Sequence, residues 1–137
     1  MVYITRRERF NAAHKLWVED WDEAKNRAVF GKCSNRNWHG HNYELFVTVK
    51  GRPDPQTGFV MDVKVLSDLI KKHITSEVDH SNLNLDVEWI PAGMQPTTEN
   101  LVILFWKRLQ PLIEGCELHC VRLHETENIY AEYFGED

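Results

Sequence analysis

Three histidines carry the sharpest chemical signal in this chain. His39 and His41 flank one glycine in His39-Gly40-His41. On extended chain, side chains two residues apart project from one face, so both imidazoles can reach the same ion. Gly40 is expected to keep the space between them clear. His14 closes an alternating segment near the N-terminus, and a hairpin between that segment and the one opening at His39 would set a third imidazole beside the pair. Three neutral imidazoles with one open position form the donor set of a catalytic zinc. Taken singly, each histidine has a plainer reading, as a surface residue near a turn or a part-buried ring with a satisfied hydrogen bond.

Cys33 stands six positions before His39. It can be a fourth ligand that closes a structural site, a thiolate whose pKa a nearby cation lowers, or a small loop hydrophobe. Asp79-His80 pairs a carboxylate with an imidazole that it can orient and make more basic, the makings of an acid/base unit. Adjacent residues share such a bond only on irregular chain, and a solvated loop pair is the alternative. A carboxylate such as Glu125 can accept two parallel N–H bonds from a heterocycle with a guanidine-like edge, or simply be a strand-end acid. Thr98 and Glu99, in the segment Pro96-Thr97-Thr98-Glu99, have an adequate explanation as the cap and first turn of a helix.

These groups are positioned by a legible order of elements. The alternation of Val2, Ile4 and Phe10 with polar residues reads as a strand, and residues 43–51 as a second. Between them, residues 15–37 show no clean period and are expected as a long loop with a helical turn near Asp22–Val29. Asp62 caps a helix carrying Val63, Leu66, Leu69, Ile70 and Ile74, expected to end near Glu77. Residues 78–96 look irregular. A second helix opens at Pro96-Thr97-Thr98-Glu99, buries Leu101, Leu104, Phe105, Leu109 and Leu112, and stops at Gly115. Strands over about Leu118–Glu125 and Ile129–Phe134 close the chain. The order β-β-α-α-β-β indicates an α+β fold, one antiparallel sheet with helices on one face. The other face is left bare, which points to self-association.

With 137 residues the chain is expected to be one domain, residues 1–137, with a core of its own. A net charge of −5 argues against nucleic-acid and anionic-membrane partners, which need a basic face. No apolar stretch approaches a spanning helix, no signal-like run follows the N-terminal charges, and the expected location is cytoplasmic. Three cysteines (Cys33, Cys116, Cys120) with no CxxC spacing do not suggest a disulfide framework, and Cys116 and Cys120 read as core filling.

Together the segments Phe10-Asn11-Ala12-Ala13-His14, Gly31-Lys32-Cys33, His39-Gly40-His41-Asn42-Tyr43, Asp54-Pro55-Gln56-Thr57-Gly58, Asp79-His80-Ser81-Asn82-Leu83, Pro96-Thr97-Thr98-Glu99-Asn100 and Glu125-Thr126-Glu127-Asn128 resemble the 6-pyruvoyltetrahydropterin synthase family, in the family's order and over nearly the whole chain. The resemblance implies a T-fold: a four-stranded antiparallel sheet with two helices on one face, three subunits closing into a barrel and two trimers stacking into a homohexamer with sites between subunits. It implies one zinc per subunit, held by His14, His39 and His41, and no redox cofactor. It implies Cys33 as general base, Asp79 and His80 as its proton-relay partners, and Glu125 as the pterin anchor with Thr97, Thr98 and Glu99 lining the same pocket. The implied reaction is a lyase step on 7,8-dihydroneopterin triphosphate that eliminates inorganic triphosphate and leaves a 6-pyruvoyl side chain.

Two residues depart from the family pattern. Trp38 stands where a glycine often precedes the first histidine of the pair, and His124 where an aromatic is common before Glu125. Within the same resemblance lies 6-carboxytetrahydropterin synthase of queuosine biosynthesis, whose members usually place the cysteine four positions before the histidine in a shorter loop. The spacing of six here favours the pyruvoyl enzyme. A third reading is a zinc-stabilised module that binds a pterin without turning it over. Lys15, Lys32 and Arg36 are the nearby basic candidates for the triphosphate.

Overall fold

The N-terminal alternation folds as a strand paired along its whole length. In the computed structural model, which describes residues 1–137, β1 (Val2–His14) and β2 (His39–Gly51) run antiparallel in unbroken register from Val2 opposite Gly51 to His14 opposite His39. β3 (Ser81–Asn82), β4 (Glu117–Thr126) and β5 (Ile129–Tyr133) complete a sheet of order β3-β1-β2-β4-β5. The four long strands are antiparallel, as the pattern implies. The fifth, β3, is a correction to the expected four: it runs parallel to β1 against Ala12 and Ala13. Its cause is local. The chain returns along the free edge of β1, where His80 N–H donates to Asn11 O (2.6 Å) and Leu83 N–H to Ala13 O (2.8 Å). Two residues are too few to write a period into a sequence.

Three helices form where two were expected. α1 (Glu23–Phe30) occupies the loop after β1, capped by Asp22, which accepts from Lys25 N–H. α2 runs Val63–Ile70, widens into a π-helical segment over Lys71–Thr75 and ends with Ser76–Val78, one residue beyond the expected end. Asp62 caps it through Lys64 N–H. α3 (Thr98–Leu109) is capped by Thr97, which accepts from Asn100 N–H at 3.2 Å. Gly115 (φ 79°) takes the left-handed turn that carries the chain back into β4.

Alternation then assigns the two sheet faces. Phe10, Ala12, Tyr43, Leu45, Val47, Val49, Val121 and Leu123 face inward and are buried against Leu66, Ile70 and Ile74 of α2 and Leu101, Phe105 and Leu109 of α3. Each such side chain contributes about 1.5–3 kcal/mol relative to exposure. The outward face has no helix on it. Tyr3, Tyr130 and Phe134 remain about half exposed there.

The long loop is less irregular than its composition suggests, because one buried amide organises it. Asn26, fully buried in α1, accepts from Val18 N–H (2.8 Å) and donates to Val18 O (3.0 Å) and Asp22 O (3.1 Å). Asn26→Ala leaves both polar groups of Val18 without this partner. It is expected to cost about 2–3 kcal/mol in denaturant unfolding, whereas an exposed change in the same helix such as Ala24→Ser is expected to fall within about 0.5 kcal/mol.

Candidate metal centre

The pairing of β1 with β2 brings the three histidines together. His14 and His39 are direct cross-strand partners, and His41 lies opposite Ala12, two pairs further in. All three project to the inward face. One ligand atom from each converges with the others within 4.8 Å, and the ring centroids are 4.5–5.1 Å apart. Gly40 points the other way. A Cβ there would meet only Ala12 O at 3.5 Å, an ordinary contact, so the expectation that this glycine clears space between the rings is not met.

The donor set fits a cation. His14 Nδ1 is 2.8 Å from Pro96 O, and a carbonyl can only accept, so Nδ1 carries the proton and Nε2 presents its lone pair. This orienting carbonyl is what a metal-bound imidazole ordinarily has. His14 Nε2, His39 Nδ1 and His41 Nε2 are buried with no hydrogen-bond partner, an arrangement that costs stability unless something binds there. The donors are three imidazoles whose ligand atoms lie within 4.8 Å of one another, a donor type that suits zinc. No ion is needed to hold the rings together, because the strand register does so.

Electrostatics point the same way. Burial first, then the neighbouring imidazoles, hold His39 below its ordinary pKa of 6.5; burial does the same to His41 against the opposing pull of Glu125. Both therefore stay neutral and able to ligate near pH 7. Glu125, at the end of β4, places Oε1 3.3 Å from His14 Nε2 and 3.5 Å from His41 Nε2. Protonated imidazoles, His14 first, would hold the Glu125 carboxyl below the usual range, whereas with Nε2 free the carboxylate faces a lone pair. Tyr43 lies next along β2. Its ring stacks on Phe10, its hydroxyl is buried without a partner, and burial pushes its pKa up.

The other candidate residues are placed less uniformly. Cys33 sits half-buried in a 3-10 turn, Gly31–Ser34, its carbonyl accepting from Leu16 N–H at 2.8 Å, two residues past His14. Its sulfur is not among the converging ligand atoms. Thr97 caps α3 beside the Pro96 carbonyl that orients His14, Thr98 is buried, and Glu99 is exposed in the first turn. Asp79 and His80 do share a direct contact, Oδ2 to Nδ1 at 3.0 Å, and the irregularity it requires is the left-handed backbone of His80 (φ 58°). Asn11 N–H donates to Asp79 Oδ1, which with His80 lowers the Asp79 pKa. This pair borders the outward face with Asn11 and Asn42, and His80 is largely exposed. Within one chain it does not join the inward-facing histidines. Two contributors escaped sequence reading: the Pro96 carbonyl, which no residue type advertises, and Tyr43, whose alternation with His39 and His41 was the available signal.

With that geometry in hand, the likeness to known proteins becomes specific. The model of the 6-pyruvoyl tetrahydropterin synthase family matches residues 3–136. This chain belongs to that family. A 6-pyruvoyl tetrahydrobiopterin synthase of Pongo abelii is 41% identical over 133 residues, covering 97% of this chain and 91% of the relative. The solved 6-pyruvoyl tetrahydropterin synthase of Caenorhabditis elegans superposes with a TM-score of 0.90 at 35% identity, covering 98% of this chain and 96% of that one. A 6-carboxy-5,6,7,8-tetrahydropterin synthase of Rickettsia typhi is 27% identical over 150 residues, covering 96% and 99%. The fold is the family's T-fold, and no helix is long and apolar enough to cross a membrane.

The depressed histidine pKa values have a consequence for the metal-free protein. Unfolded histidines take up protons as the pH falls below about 6.5 while folded His39 and His41 resist, so the unfolded state binds more protons there and stability falls with pH. Denaturant unfolding of metal-free protein is expected to show this loss between about pH 6.5 and 5. The slope flattens in the His39→Gln/His41→Gln variant. Equal slopes in the two proteins would refute the account.

Proposed function

We propose that this chain is a zinc-dependent 6-pyruvoyltetrahydropterin synthase, a carbon–oxygen lyase that converts 7,8-dihydroneopterin triphosphate to 6-pyruvoyl-5,6,7,8-tetrahydropterin with elimination of inorganic triphosphate. One observation carries the reading: three convergent imidazoles with unpartnered ring nitrogens, in a chain whose whole length belongs to this family. His14, His39 and His41 are the residues that would hold zinc. Bound there, the ion supplies a Lewis acid for the hydroxyl oxygens of the substrate's side chain and acidifies the neighbouring C–H.

The protein's own groups do the rest. Pro96 O fixes the His14 ring, so its ligating nitrogen needs no reorganisation. Cys33, as the thiolate, takes a side-chain proton. Its absence from the converging ligand atoms favours that role over a fourth ligand. Asp79 orients His80 through the Oδ2–Nδ1 contact, which suits proton relay. Glu125, beside the imidazoles at the end of β4, is the carboxylate that accepts from the guanidine-like edge of the pterin, and the family resemblance assigns Thr97, Thr98 and Glu99 to the same pocket.

Two features support an assembled enzyme. The relay pair borders the outward face while the histidines project inward, which supports a reading in which one subunit's His80 serves another subunit's metal centre. The outward face is aromatic and uncovered, and the free edges of β1 and β5 offer unpaired backbone groups to a neighbouring sheet. A ring of three sheets doubled into a hexamer satisfies both.

The 6-carboxy enzyme is the competing reading, and product chemistry separates them. Mass spectrometry of zinc-loaded protein with 7,8-dihydroneopterin triphosphate is expected to show the 6-pyruvoyl product and triphosphate. A 6-carboxy product with acetaldehyde would move the chain to queuosine synthesis, and no turnover would leave a pterin-binding module. Cys33→Ala and His80→Ala are each expected to keep zinc and lose turnover. Refolded as an equal mixture, they should recover activity at about a quarter of sites. His39→Ala, by contrast, is expected to lose zinc, and full occupancy in it would remove that ligand.

A further inference from the structure

Immediately outside the ligand pair His14–His39 stands a charged group that the chain has taken trouble to fix. Lys15 Nζ lies between two indoles, 4.7 Å from the ring centre of Trp38 and 5.2 Å from that of Trp17. No carboxylate pairs with it. Its backbone is bracketed by one side chain, Asn84, which accepts from Lys15 N–H and donates to Lys15 O, both at 3.0 Å. Trp17 is bracketed in the same way by Gln95, at 3.0 and 2.7 Å. Residues 15–17 lie past the end of β1, yet they are held as firmly as a strand.

Trp38 completes the clamp at a cost. It takes a left-handed backbone, φ 68°, a conformation that a bulky side chain rarely adopts and that glycine adopts freely. One half-exposed cation–π contact does not offset that strain. An outlier that its own contacts do not justify, beside two metal ligands, points to a ligand.

We propose that Lys15, clamped between Trp17 and Trp38, is the cationic subsite for the triphosphate of the substrate. The inference rests on the pterin triphosphate reading above and selects among its basic candidates. Lys32 and Arg36 are exposed, unpaired side chains of the Cys33 loop, while Lys15 is half-buried and fixed. An ammonium is a compact point charge suited to a phosphate oxygen, and a held charge loses little freedom on binding. In a chain of net charge −5, a polyanion also needs such a localised cation. Trp38 is then a positioning residue: its ring holds the ammonium of the residue that follows His14 in the chain.

Calorimetry on the intact zinc-loaded protein tests this with two probes, inorganic tripolyphosphate and unphosphorylated neopterin. Lys15→Met keeps the stem between the indoles and removes the charge. It is expected to weaken tripolyphosphate at least tenfold while leaving zinc content and neopterin affinity unchanged, and Lys15→Arg should recover most of the loss. Trp38→Gly is expected to raise the melting temperature, because the strain is released, and still to weaken tripolyphosphate severalfold. Equal tripolyphosphate affinity in Lys15→Met, or none in the parent protein, overturns the subsite. Binding of tripolyphosphate that depends on Lys15, with no binding of neopterin, would uphold the subsite and overturn the pterin reading instead.

Discussion

A slip of one residue in the pairing of β1 with β2 would turn His14 to the face opposite His39 and His41, because strand side chains alternate with period two. The same slip would expose Phe10 and Ala12. The site is therefore held by the core: Tyr43, Leu45, Val47 and Val49, all buried on one face of β2, make any other register of thirteen pairs costly. The metal centre is the last stretch of that hairpin, where the inward stripe changes from apolar side chains to imidazoles. Placing ligands at a strand end and not in its middle keeps them beside the loops that bring Cys33, Pro96 and Lys15.

Three neutral imidazoles facing one another are not a low-energy arrangement for an isolated chain. Burial and neighbouring imidazoles both resist protonation of His39 and His41, and the free nitrogens of all three rings lack partners. Part of that cost is offset locally, by the Pro96 carbonyl that accepts from His14 Nδ1. The remainder is what a bound cation would relieve. Stability and ligation thus draw on the same atoms, which is the usual signature of a site prepared before its ligand arrives.

Much of this was legible in the sequence, and the parts that were not share a cause. The four long strands, the caps Asp62 and Thr97, the Gly115 stop and the convergence of three histidines all follow from periods and spacings that local rules impose. β3 was not foreseen, and α1 only as a helical turn near Asp22–Val29, because both depend on particular tertiary bonds: backbone groups at the edge of β1, and the bonding of Asn26 to Val18 and Asp22. The Asp79–His80 contact was legible as chemistry, but the left-handed turn that permits it was not. Trp38 was visible as an odd residue. Only its backbone angle shows what the oddity costs.

The π-helical segment at Lys71–Thr75 bears on how this chain can vary. Such a turn accommodates one residue more than a regular turn does. Deleting any one residue there would restore an ordinary helix, shorten it, and swing everything downstream by about 100°, carrying Asp79 and His80 away from Asn11. The fold constrains the length of this segment more than the identity of its exposed side chains. Insertions and deletions, more than substitutions, should be purged from the helix that ends at the relay pair.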